Sequence, residues 1–393
     1  MEFPQLLVDM MCFAGFLVHS ALLALEVPIL HAVFGPPVRG WSLIQHCTIR
    51  LLRAANADLK IHQLRMLTRL NGWWRVLGEP TERDDLLNGY WVGDTPWSAR
   101  ARIARGEIDL VLLYIHGGGF CVGNPFMAFP AVRDWQQRLG QQGIRLAVLA
   151  VEYALAPEAH YLDPVHTVTQ TARELQRLPG LDASRFVVAG DSAGAHLAVE
   201  VTRQLGADEQ PQGLLLLSPW VRLYPEPEAI CRNMARDFLL PSALRNWADA
   251  YLDSVSGGRN AGTKHYSTLG DTPPSAVHAV ALTPTLSNTP LLSPTTPTAP
   301  AQPTTTLSSA RLPRCFIVVG QRELLVEDAV AYACLLEEAG TEVALMVEPS
   351  AVHNFSIEPM VAGRASYRRA VANITGYLRA VMTDDRKWLG VKA

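Results

Sequence analysis

At 393 residues and 49% hydrophobic, the chain is long enough to bury one large core, and its simplest organisation is one main domain with appendages. With 34 Lys and Arg against 37 Asp and Glu, a net charge of −3 and no basic run, it lacks the phosphate-neutralising footprint of a nucleic-acid binder. Cys12, Cys47, Cys121, Cys231, Cys315 and Cys334 lie far apart, with no C-x-x-C or Cys/His cluster at metal-ligand spacing, so no structural zinc is expected and the thiols read as small buried apolar groups.

Met10 to Leu25 contains no Asp, Glu, Lys or Arg, and Glu26, Val27, Pro28 and a further apolar stretch to Phe34 follow. A membrane span needs about 20 apolar residues, and this segment reaches that length only by including Glu26 and Pro28. Glu2 and Asp9 stand where a cleaved signal peptide would be positive. Residues 1–36 are therefore predicted as a membrane anchor or interfacial hairpin, with a buried packing helix as the alternative. Arg39, Arg50 and Arg53 all follow the segment, which by the positive-inside tendency keeps the bulk of the chain cytosolic. The sequons at Asn354 and Asn373 would argue for a lumenal side if used.

From Trp41 to about Trp97 the pattern is mainly helical, with Leu43, Ile44, Leu51 and Leu52 at three- and four-residue spacings. Residues 37–105 are predicted to form a helical cap or lid. Trp73, Trp74, Trp91 and Trp97 are candidates for lining an apolar cleft or for ordinary packing.

Residues 106–393 change rhythm. Continuous apolar runs at Leu110–Ile115, Arg145–Val151, Phe186–Ala189, Leu214–Leu217, Cys315–Val319 and Val343–Val347 are short enough for strands buried on both faces. Helical stretches separate them, including Asp328–Glu338 and a closing amphipathic helix over Arg364–Met382. This alternation predicts a mostly parallel, doubly wound α/β sheet. The stretch from about 254 to 309 is crowded with Thr, Pro, Ser and Gly, and its composition predicts an extended or disordered surface insertion.

Gly190-Asp191-Ser192-Ala193-Gly194 fits G-x-S-x-G, a pattern of moderate specificity by itself. Its setting sharpens it: a strand leads in and a helix leads out, the arrangement of a nucleophile elbow that lifts a strained seryl residue above a sheet. His116-Gly117-Gly118-Gly119-Phe120 follows another strand and offers uncovered backbone N–H groups to a developing oxyanion. Gly117, Gly118 and Ala193 are the expected donors. His116 is expected to order its loop by hydrogen bonding. No G-K-[ST] ending or G-x-G-x-x-G pattern supports phosphate binding instead.

Four of the eleven histidines follow Ser192. His196 lies one turn into the helix, His265 and His278 fall in the low-complexity segment, and His353 follows the last strand, where a base belongs when the order is Ser, acid, His. Glu323 follows the preceding strand and is the expected acid. Glu327 and Asp328 are rivals at the start of the next helix, where carboxylates commonly cap. Such a site performs acyl transfer through a seryl acyl-enzyme, with no metal or organic cofactor required.

The chain resembles the hormone-sensitive-lipase-like esterases of the α/β-hydrolase fold, a family that includes fungal steryl acetyl hydrolases and arylacetamide deacetylases. The matching features, in order, are His116-Gly-Gly-Gly-Phe, Glu152-Tyr-Ala-Leu-Ala-Pro-Glu158, Gly190-Asp-Ser-Ala-Gly, Gly320-x-x-Glu323 and His353-Asn-Phe. Ala154 departs from the family's usual Arg, Glu323 from its commoner Asp, and the Thr/Pro-rich insertion is longer than the family normally carries. The resemblance implies hydrolysis of short acyl esters, often acetyl, of a hydrophobic alcohol such as a sterol or secondary metabolite. It also implies membrane association at the endoplasmic reticulum, otherwise a cytoplasmic location. An acyltransferase or cyclase using the same acyl-enzyme, and a non-catalytic small-molecule receptor, are competing expectations.

Overall fold

The computed structural model describes residues 3–159, 161–225, 230, 232–253 and 312–385. The segment predicted as an insertion, with His265, His278 and the lone Cys231, lies outside the described residues.

Strand formation follows from two-sided burial. Along β3 (Leu110–Ile115), Val111, Leu113 and Ile115 enter one core while Leu110, Leu112 and Tyr114 enter another, so no position needs a polar residue. The same division runs through β4 (Leu146–Val151), β5 (Phe186–Asp191) and β6 (Gly213–Leu217). With β1 (Arg83–Asp84), β2 (Gly89–Trp91), β7 (Arg314–Gly320) and β8 (Val343–Glu348) they form one eight-stranded sheet in the order β1-β2-β4-β3-β5-β6-β7-β8. Among the described residues, only the β1–β2 and β2–β4 pairings are antiparallel.

Helices cover both faces. α5 (Phe129–Gly140) and α10 (Arg364–Thr383) close one core. α6 (Leu162–Gln176), α7 (Ala193–Gln204), α8 (Pro241–Asp253) and α9 (Val326–Glu338) close the other. The predicted doubly wound α/β architecture is what forms.

The cap boundary expected at residue 105 is corrected by the sheet, which begins inside the supposed cap. Gly89 pairs with Val151, and β1 and β2 extend the sheet edge. Buried Asp84 organises this edge, accepting from Trp91 Nε1 at 2.9 Å and Arg100 Nε at 3.0 Å, with Arg100 in α4 (Pro96–Ala104). The helical part of residues 37–105 is, besides α4, α2 (Leu43–Asp58), opened by a Ser42/Gln45 capping box, and α3 (Ile61–Arg75). Trp91 is packed in the core, whereas Trp73, Trp74 and Trp97 are exposed. α1 (Phe3–Phe34) is long and apolar enough to cross a membrane by length and composition, and it packs along α2.

Candidate active site

The glycine loop, Ser192, Glu323 and His353 follow the carboxyl ends of the parallel strands β3, β5, β7 and β8, the edge where open α/β sheets bind ligands. Ser192 links β5 to α7 with φ 53° and ψ −119°, a region costly for a residue with a Cβ. The surrounding chain imposes this conformation: Ser192 N–H donates to Leu217 O at 2.9 Å, and Ser192 O accepts from Ala195 and Trp220 N–H. The flanking glycines permit close approach. A Cβ on Gly190 would lie 2.3 Å from Gly194 O, and one on Gly194 would lie 2.1 Å from Ile115 O.

The glycine loop after β3 bends through three consecutive positive φ values, at Gly118, Gly119 and Phe120. Its first glycine is wedged against the elbow, where a Cβ would sit 3.0 Å from Ser192 Cβ. Here one expectation changes. The Gly117 N–H, expected to point at an oxyanion, instead donates to Asp191 Oδ1 at 2.9 Å. Among the described residues no hydrogen bond engages the N–H groups of Gly118, Gly119 or Ala193. Asp191 is fully enclosed; burial pushes its pKa up, although the Tyr114 hydroxyl at 2.7 Å, Gly117 N–H and Asn354 Nδ2 at 2.8 Å all donate to it.

His116 orders its loop, as expected. Its Nδ1 donates to Gly117 O at 2.7 Å, its ring stacks on Tyr153 at 4.4 Å, and its carbonyl accepts from the Tyr153 hydroxyl at 2.6 Å. Burial lowers its pKa to about 4, so the ring is neutral. His196 is likewise enclosed, with Nδ1 facing Trp220 O at 3.1 Å and its pKa lowered by burial.

His353, on the loop after β8, is buried with its Nδ1 3.9 Å from Glu323 Oε2, longer than a hydrogen bond. Burial works against its charged form, but Glu323, Asp237 and Asp191 outweigh that and hold the pKa above the ordinary 6.5. Glu323 is fully buried after β7, accepting at Oε2 from Ser218 Oγ at 2.8 Å and Gly320 N–H at 3.2 Å. The rival carboxylates are engaged elsewhere: both open α9, where Asp328 pairs with Arg222 and Glu327 with Arg232.

Ser218, Asn233 and Asp237 escaped the sequence reading, and Asn354 entered it only as a sequon and as part of His353-Asn-Phe. Ser218, at the end of β6 with φ 44°, donates to Glu323 while its Oγ accepts from Asn354 N–H at 3.0 Å. Asn354 then reaches Asp191, so the residue after His353 is tied to the residue before Ser192. That part-buried engagement also commits the Asn354 amide nitrogen, which the sequon offered for glycosylation. Asn233 Nδ2 donates to the carbonyls of Gln321 and Glu323. Asp237 accepts from Leu324 N–H at 2.7 Å and from His353 N–H at 3.4 Å, clamping the acid loop to the histidine loop; burial raises its pKa to about 6. Lone polar residues on loops carry no period, so only tertiary contact reveals them.

Residues from the amino-terminal helical region hold the loops of this site. Arg53 Nη1 donates to Asp237 O at 2.7 Å, and Trp41 Nε1 to Ser350 O at 2.7 Å. Arg65, on α3, donates to Cys121 O and Ala156 O at 2.6 Å each and forms a bidentate pair with Glu158. It thereby supplies a guanidinium in the stretch where Ala154 replaces the family's Arg. A cavity of about 640 Å³ opens beside it, lined by Arg65, Arg69, His116 and Asn124 but not by Ser192.

A family model described as the alpha/beta hydrolase fold matches residues 112–289 and 281–357, spanning the glycine loop, the elbow and the histidine loop. The chain belongs to the α/β-hydrolase fold family. An acetyl-hydrolase of Streptomyces hygroscopicus is 30% identical over 247 residues, 62% of this hydrolase and 67% of its own chain. An arylacetamide deacetylase of Bos taurus is 32% identical over 141 residues, 34% of this hydrolase and 32% of its own chain. In fold, the hydrolase is similar to an esterase from the bacterial hormone-sensitive lipase family, with TM-score 0.61 and 23% identity, covering 87% of this chain and 99% of that one. The fold resembles that of hormone-sensitive-lipase-family esterases, and with its esterase and acetyl-hydrolase relatives the hydrolase is of the carboxylic ester hydrolase class.

Proposed function

We propose that this hydrolase cleaves short acyl esters, acetyl above all, of hydrophobic alcohols such as a sterol or secondary metabolite, and that α1 brings it to a membrane. The observation that carries the catalytic part is the strained Ser192 at the elbow, yoked through Asp191 and Asn354 to the loop that holds His353. In the proposed reaction His353 takes the Ser192 proton as the hydroxyl attacks the ester carbonyl. The tetrahedral oxyanion is held by the N–H groups of Gly118, Gly119 and Ala193, the alcohol leaves with the proton from His353, and water then cleaves the acyl-enzyme. Glu323 orients the imidazole and balances its charge, closing the 3.9 Å gap to a hydrogen bond as the proton transfers. Residues 37–75 are the cap over this site.

Preference for short acyl groups is supported by the aromatic packing beside the elbow. Phe120 stacks on Tyr251 at 3.9 Å and lies 5.5 Å from Trp220, while the Trp247 ring abuts Gly119. These rings fill space that a long acyl chain would need. The test is a p-nitrophenyl ester series from acetate upward, with fluorophosphonate labelling. Acetate and butyrate should be cleaved, longer esters progressively less, and Ser192→Ala should abolish both turnover and label. No release from acetate by a protein that also resists the label defeats the proposal.

A further inference from the structure

α1 carries two unlike faces. Towards the cap, Asp9 pairs with Lys60 at 2.8 Å and His62 at 3.2 Å, and His19 pairs with Asp58 at 2.6 Å. Leu23 and Val27 are buried in a cluster with Ala54, and His31 meets His46 at 3.4 Å. Away from the cap, Met11, Val18, Leu22, Leu25 and Ile29 are each more than half exposed. At 3.6 residues per turn these five fall within an arc of about 60°, opposite Asp9, Leu23 and Val27. Besides the paired Asp9, the charged residue of α1 is Glu26, which falls on the flank between the two faces.

A helix that crosses a bilayer needs about 20 residues standing clear of the rest of the protein. The docked stretch from Asp9 to His31 spans about 33 Å of helix axis, the full thickness of a hydrocarbon core. Only three residues of α1 follow His31. Crossing would strip the helix of its ion pairs with the cap and leave Asp9 in lipid.

We infer that α1 lies in the plane of the membrane surface, with its Met11 to Ile29 face in the acyl boundary, and holds the enzyme to one leaflet without spanning the bilayer. This rests on the membrane association proposed above and specifies its geometry. The exposed face is long, narrow and uncharged along its crest, and Glu26 on the flank can reach the headgroups. A bilayer suits it better than a second copy of the chain. Two such faces, each about 27 Å by 10 Å, meeting as twins would fall short of the roughly 800 Å² per partner of a standard interface.

The full chain with an amino-terminal epitope tag, translated in the presence of sealed microsomes, tests this. It should float with the membranes, and protease added outside should remove the tag and digest the hydrolase body alike. Leu22→Glu combined with Ile29→Glu should lower the floated fraction at least 10-fold, leaving p-nitrophenyl acetate hydrolysis and the melting temperature unchanged. A floated chain in which only the tag or only the body is protected crosses the bilayer, which overturns the in-plane geometry and leaves membrane association standing, whereas tag and body protected together hold to the lumenal leaflet, as the in-plane geometry also allows. An unaltered chain that fails to float, or that forms a concentration-dependent dimer broken by the same substitutions, overturns both; the esterase proposal is read separately by its turnover.

Discussion

Ser218 Oγ stands between the acid loop and the histidine loop, donating to Glu323 and accepting from Asn354. Hydrogen bonds to a charged partner are worth about 1.5–3 kcal/mol. Ser218→Ala should therefore lower kcat about 10- to 100-fold with KM little changed, as steady-state kinetics would register. The raised pKa of His353 gives two opposite pH dependences. In its proposed role as base the ring must be neutral, so kcat/KM should fall as pH drops through a value above 6.5, the ordinary imidazole pKa. For stability the sign reverses: the contribution of the paired, charged ring is fully present below the unfolded pKa and is lost as pH rises through the folded one. Asp237→Asn removes one of the charges that hold the ring protonated, and the acid limb of the kcat/KM profile should move to lower pH.

Among the elements, the parallel strands and the helices that cover them were legible because burial on both faces demands unbroken apolar runs. The strand-to-helix setting of Ser192 was legible for the same reason. β1 and β2 were not, since two and three residues are too short to display a period. Gly117 was taken for an oxyanion donor because a sequence shows that an N–H is uncovered but not where it points. Glu323 was separable from Asp328 only by its place on the loop before α9, and the structure pairs Asp328 with Arg222. The packing of α7 against β3 gives a contrast in stability. A Cβ on Gly194 meets the backbone oxygens of Ile115 and His116 at 2.1 and 2.5 Å, whereas one on Gly140 meets nothing within 4 Å. Gly194→Ala should cost at least the roughly 1–3 kcal/mol typical of overpacking, lowering the melting temperature or preventing folding. Gly140→Ala, at the end of α5, should melt at or slightly above the parent temperature.

At the scale of the described chain, the segment from Val38 to Ile49 is joined to the region after β8, for Val38, Trp41 and Ile49 cluster with Val352 and Val361. The Arg65 contacts give that union an unequal dependence on its two charges. Glu158 is largely exposed, and pairs of this kind are worth about 0–1 kcal/mol and weaken in salt. The bonds from Arg65 to the carbonyls of Cys121 and Ala156 are sheltered and hold the loop that follows the glycines. Glu158→Gln should leave turnover within about twofold of the parent, and raising ionic strength from 0.05 to 0.5 M should change it little. Arg65→Ala should lower kcat by about 10-fold or more at every salt concentration, measured with p-nitrophenyl acetate. A contact that looks like an ion pair would then behave, in a salt titration, like a neutral bracket across the backbone.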